Sequence, residues 1–134
     1  MSYGAAQARF AARKANLQGD SDADFATSEM LLEVYADLMT ALEKCKGNEA
    51  AFVAFFAETA PWMFGSLAKM LKGEFFGSKL TAGDLAIGVI FEFCLALQAN
   101  CLDAFPSLKA FYERIHALPA FSCQNDLPYY LKRE

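Results

Sequence analysis

"SKLTAGDLAI", residues 78–87, leads into a run from Leu85 to Leu97 whose only charged residue is Glu92. A helix this apolar must be buried, and a buried helix start denies water to its first amides, so polar groups are needed there. With Thr81 as N-cap, its hydroxyl reaches the amide of the third helical residue, and Asp84 at that third position reaches back to the Thr81 amide. Leu80 and Leu85 then flank the cap as an apolar staple. Losing such a cap costs about 1 kcal/mol. The spacing makes Thr81 and Asp84 a structural capping box, and Asp84 is read as a cap rather than as a general acid or base.

Helical periodicity extends outward from this helix, and no long period-two alternation interrupts it. A first helix is expected over about residues 4–17, closing at Gly19, a residue type that takes a left-handed stop cheaply. A second opens at Ser21 with Asp22 and Asp24 in its first turn, where carboxylates meet unpaired amides. It carries Leu31, Val34, Tyr35, Leu38, Met39 and Leu42 as one stripe and ends near Lys44, Lys46 and Gly47. Asn48 caps a third, with Phe52, Phe55 and Phe56 ahead of "TAPWMFGSLAKML". Pro61 falls inside it and predicts a kink; Gly73 stops it. A last helix starts at Pro106 and carries Leu108, Phe111, Tyr112 and Ile115 on one face, with Pro119 as its stop. The tail "FSCQNDLPYYLKRE" has little period and is expected to lie over the bundle. The expected fold is all-α, a bundle of about five main helices in a single domain over residues 1–134.

Composition narrows the function classes. The chain has 55% hydrophobic residues, enough for a core without disulfides or metal. A net charge of −4 leaves no basic footprint for nucleic acid. Cys45, Cys94, Cys101 and Cys123 form no C-x-x-C pair or zinc spacing, and they read as buried thiols of a cytoplasmic protein. If Cys94 and Cys101 share one helix, they stand two turns apart, too far for a disulfide. The longest apolar run, 85–97, is shorter than the roughly 18 residues of a membrane span. Arg9, Arg13 and Lys14 faintly suggest a targeting helix, a reading ranked below a structural helix. His116, near the end of the last helix, has no nucleophilic or acidic partner placed by the sequence and reads as structural. Glu92 needs a hydrogen-bond partner or a changed protonation state.

This helical order resembles the C-terminal domain of cytosolic glutathione S-transferases, particularly the sigma-like branch that includes the haematopoietic prostaglandin D synthases. The matching pieces are "ARFAARKANLQG", "APWMFGSLAKMLKG", "FFGSKLTAGDLAI" and "CLDAFPSLKAFYERIHALPAF". The resemblance implies that glutathione, thiol activation and a cis-proline belong to a preceding thioredoxin-like domain, which this sequence is expected to lack. The family's Gln/Glu-Ser pair, which grips the γ-glutamyl carboxylate, falls at Tyr3 and Gly4, and an apolar family position is Gln7. The resemblance also implies a hydrophobic-substrate wall from Tyr35, Ala36, Met39, Val89 and Ile90. The spacing of Tyr35 and Met39 serves a core stripe equally well. Tyr129 and Tyr130 are candidates to close such a cleft.

The implied function is therefore the substrate half of a transferase, inactive alone, with no catalytic residue, metal or resident cofactor of its own. Glutathione would enter as co-substrate only where the other domain is supplied. The implied partners are a second copy or a thioredoxin-like domain in trans, and a small apolar ligand, with neither nucleic acid nor membrane. The alternative is a non-catalytic interaction module or an apolar-ligand carrier.

Overall fold

A computed structural model of the chain describes residues 4–119. Helices α1 (Gly4–Lys14), α2 (Asp22–Glu43) and α3 (Glu49–Ala54) are followed by a π-helical segment (Phe55–Thr59). Then come α4 (Ala60–Met70), α5 (Ala82–Leu97) and α6 (Pro106–His116). No strand occurs among the described residues.

The ends follow from local chemistry. Ser21 Oγ accepts the Asp24 amide at 3.1 Å, and Asn48 Oδ1 accepts the Ala51 amide at 3.0 Å. The first helix stops at Lys14, earlier than the sequence suggests. Asn16 takes the left-handed conformation first, at φ 58°, and Gly19 repeats it at φ 86°. The Leu17 amide then bonds to Ala12 O at 2.8 Å and the Asn16 amide to Arg13 O at 3.3 Å, the paired bonds of a Schellman stop. At the other two expected stops the helices also end short, α4 at Met70 before Gly73 and α6 at His116 before Pro119.

Pro61 produces a π turn rather than a bare break. Lacking an N–H and crowding the carbonyl four residues back, proline needs a wider turn before it, and the Ala60 amide reaches Phe55 O instead. Through this turn α3 and α4 form one continuous path, Glu49–Met70, which is long and apolar enough to cross a bilayer. It is therefore this path, and not residues 85–97, that makes the longest apolar helix. Its Phe52, Phe55, Phe56, Ala60, Phe64 and Leu67 all enter the protein core, while Glu58 stands exposed midway.

The core lies between α2 and α5 and is closed by α4 and α6. Rings of Phe105, Phe64, Phe91, Phe111 and Phe76 form a chain of edge contacts with centroid spacings of 6.1, 5.1, 6.3 and 5.0 Å. This ties α4, α5, α6 and the 71–81 loop into one unit.

The start of α5 explains its polar trio. Asp84 Oδ2 accepts the Thr81 amide at 2.8 Å and the Thr81 hydroxyl at 3.1 Å, and the capping box is formed. The helix does not satisfy its start from its own sequence alone. The Ala82 amide goes to Leu17 O at 2.9 Å and the Gly83 amide to Ser28 Oγ of α2 at 3.0 Å. Gly83 is required by proximity: a Cβ there would stand 2.8 Å from both Ser28 Cα and Ser28 O.

Two buried carboxylates clasp the 71–81 loop to this point. Asp84 Oδ1 accepts the Phe76 amide at 3.0 Å. Asp24 Oδ1 accepts the Ser78 amide at 3.0 Å, and Asp24 Oδ2 accepts both the Ser78 hydroxyl and the Asp20 amide. The Ser78 hydrogen bonds hold the Asp24 carboxyl below the usual carboxylate range. Burial raises Asp84 despite its amide donors. On the α5–α6 side, Glu92 Oε2 is buried without a hydrogen-bond partner among the described residues. Burial raises the Glu92 carboxyl, and the charge of His116 opposes that rise.

Three outcomes follow. Gly83→Ala should lower the denaturation free energy by about 1–3 kcal/mol, because backbone rather than a flexible side chain must move. Asp24→Asn should be less stable than the parent at neutral pH. Since the folded carboxyl lies below its unfolded value near 3.9, that gap should persist down to mildly acid pH and close only as pH falls through the folded value. Glu92→Gln should show the opposite sign. Here the folded value is raised, so the parent loses stability as pH climbs through the range above about 4.3, and the glutamine variant should be the more stable at neutral pH with the two converging in acid. Denaturant titrations across pH read all three.

Candidate functional site

The five wall positions divide between surface and interior. Ile90 is fully enclosed and Met39 is buried, and both belong to the main core. Tyr35 and Val89 are half-buried against that core, and Ala36 is exposed on α2. Met39 and Ile90 thus lie within the core that α2 and α5 share, Tyr35 and Val89 at its margin, and Ala36 outside it. Thr81 and Asp84 are buried structural groups at the inner end of the same packing.

Groups able to do chemistry are few among the described residues. His116 is exposed at the end of α6, stacked on Tyr112 with ring centroids 5.4 Å apart, and the Tyr112 hydroxyl stands 3.4 Å from His116 Nδ1. Burial raises the Tyr112 hydroxyl, and the charge of Glu92 adds to that rise. These facts place Glu92, Tyr112 and His116 in one electrostatic neighbourhood. Burial drives the Cys94 thiol well up and pushes Cys101 up to about 11, so neither offers a thiolate at neutral pH. Cys101 lies in the turn beyond α5, so the two cysteines do not share one helix; both thiols are free. No group of three metal-ligating side chains forms among the described residues. Tyr3, Cys123, Tyr129 and Tyr130 lie outside the described residues.

Periodicity did not mark Ser28 or Ser78, the partners of Gly83 and Asp24. They occupy loop or helix positions with no local pattern, and only the tertiary approach of α2 to α5 gives them their work. A separate cleft of about 350 Å³ runs between α2 and the α3–π path and contains none of the wall positions.

The family model for the glutathione S-transferase C-terminal domain matches residues 33–122. The hematopoietic prostaglandin D synthase of Gallus gallus is 28% identical over 121 residues, 86% of this chain and 61% of that protein. Glutathione S-transferase Mu 2 of Homo sapiens is 30% identical over 123 residues, 85% of this chain and 54% of that protein. The chain therefore spans a little over half the length of these curated relatives. Among solved structures, a Pi-class glutathione S-transferase of Onchocerca volvulus aligns with a TM-score of 0.80 at 23% identity, over 91% of this chain and 62% of its own. Rat hPGDS complexed with a quinoline aligns with a TM-score of 0.82 at 22% identity, over 92% and 65%. With the family model covering the greater part of its helices, this chain belongs to the glutathione S-transferase C-terminal domain family.

Proposed function

We propose that this chain is the hydrophobic-substrate half of a glutathione transferase. Of the wall positions, the exposed Ala36 and the half-buried Tyr35 and Val89 would receive an apolar electrophile, with Met39 and Ile90 behind them in the core. Glutathione transfer then requires a thioredoxin-like domain, supplied by another chain or by another stretch of the same protein. The observation that supports this reading is the match of residues 33–122 to the C-terminal domain of glutathione S-transferases. A quinoline bound to rat hPGDS supports a flat apolar ligand as the chemistry to try first.

Phe10 is 65% exposed, with Lys14 Nζ 5.6 Å from its ring centroid, and Ala12 is buried. In this reading the thioredoxin-like domain would cover Phe10. The protein would work in the cytoplasm, as a two-fold dimer or with that domain in trans. A second reading, a non-catalytic assembly module, is favoured by Val53 and Trp62, which stand 56% and 72% exposed on the α3–π–α4 path.

Calorimetry with an apolar quinoline and with glutathione tests the proposal. The chain alone should bind the quinoline weakly and glutathione not at all. Ala36→Glu, at an exposed position that leaves the core intact, should weaken the quinoline by roughly tenfold, about 1.4 kcal/mol. Micromolar glutathione binding by the chain alone, or quinoline binding indifferent to Ala36→Glu, overturns it.

A further inference from the structure

We propose that Tyr112 is a pH-gated relay, its hydroxyl held by the neutral imidazole of His116 and turned over to the buried Glu92 carboxylate when that imidazole takes up a proton. The feature that calls for it is Glu92 Oε2, enclosed by the protein and without a hydrogen-bond partner among the described residues. A carboxylate oxygen that water does not reach must draw a donor from its neighbours or keep a proton of its own. Glu92 is the only charged residue between Leu85 and Leu97, so no charge on its own stretch of helix answers it. The relay involves none of the wall positions and is independent of the proposed transferase function.

The neighbours come from α6. Glu92 and Tyr112 each follow one ring of the Phe91–Phe111 edge contact, 6.3 Å between centroids, which brings the two helices together at this point. His116, one turn beyond Tyr112, is stacked on it with ring planes 29° apart, and the Tyr112 hydroxyl stands 3.4 Å from His116 Nδ1. Electrostatics follow the same path: the charge of His116 acts on Glu92, and that of Glu92 on Tyr112. Of the other charges on α6, Glu113 is exposed, Lys109 pairs with Asp103 at 3.2 Å, and Arg114 donates to Glu74 O of the 71–81 loop at 3.0 and 3.2 Å. No charge from another element acts on Glu92 among the described residues.

A neutral imidazole that accepts the hydroxyl at Nδ1 carries its proton on Nε2. Proton uptake from solvent, to which His116 is exposed, makes Nδ1 a donor. The hydroxyl then accepts from Nδ1, and its own hydrogen is free for Glu92. Below the ordinary glutamate value of about 4.3, Glu92, whose carboxyl burial raises, keeps its own proton and needs no donor. Above the imidazole range the hydroxyl returns to Nδ1. The relay belongs to the window between.

The test is a double-mutant cycle of Glu92→Gln and His116→Gln in the full chain, read by denaturant unfolding at intervals from about pH 4 to about pH 9 and repeated on a Tyr112→Phe background. The coupling between positions 92 and 116 should rise and fall with pH. Its peak should be roughly two- to fivefold in the unfolding constant, between the glutamate and imidazole ranges, and it should vanish at both ends. On the Tyr112→Phe background most of that peak should be gone. Glu92→Gln is expected to stabilise the chain at neutral pH, His116 is exposed and Tyr112→Phe keeps the ring, so the cycle is measured on folded variants. A coupling that is absent, or flat across the range as a packing contact would be, overturns the proposal. So does a pH-dependent coupling that Tyr112→Phe leaves intact.

Discussion

The backbone approach of α5 to α2 at Gly83 and Ser28 is the constraint on which the rest of the structure depends. With no Cβ at Gly83, the two helices meet closely enough for the Ser28 hydroxyl to take the Gly83 amide at 3.0 Å. That contact fixes where α5 begins, and hence which of its residues enter the core. Leu17 is drawn into the same point through the Ala82 amide, so the α1–α2 junction and the start of α5 are positioned together. The 71–81 loop has no helix of its own and is held by the two carboxylates on either side of this contact.

Those two carboxylates answer burial differently, and their donors explain why. Asp24 receives the amide and hydroxyl of Ser78 together with the amide of Asp20, and these donors outweigh its desolvation. Asp84 is fully enclosed, and its donors offset only part of the cost of keeping a charge there. The charge of Asp24 raises Asp84 further. One acid therefore favours the folded state in its ionised form and the other in its protonated form, so acid weakens one half of the clasp while relieving the other.

Much of the fold was legible in the sequence because its signals are local. The Ser21 and Asn48 caps, the Thr81–Asp84 box and the Pro106 start all depend on residues within one turn of each other. What was not legible depends on contacts between elements. Gly83 looked like part of a cap until α2 lay against it, and Asp24 looked like a first-turn carboxylate until Ser78 closed on it from 54 residues away. Pro61 announced a disturbance, and the structure shows it as the π turn in which the Ala60 amide reaches Phe55 O. At the wall, Tyr35 and Met39 share one stripe for either reading. The structure divides them by depth, Met39 inside and Tyr35 at the edge, a distinction that helical spacing does not encode.

The weakest attachment in the bundle is α1, and its chemistry suits an element shared with a neighbour. Arg9 bridges Glu29 at 2.5 Å and Glu33 at 2.7 Å, but these side chains are a third exposed or more on at least one partner. Such pairs contribute on the order of 1 kcal/mol or less. The helix adds Ala12 to the buried surface and leaves Phe10 in water. A partner that covered Phe10 would bury apolar area where the chain alone has little to hold α1, and by linkage would stabilise the folded helix in proportion to its own affinity. The order of α1 and the binding of that partner are then one equilibrium. Through Leu17 the same equilibrium reaches the start of α5, the helix that carries Val89 and Ile90.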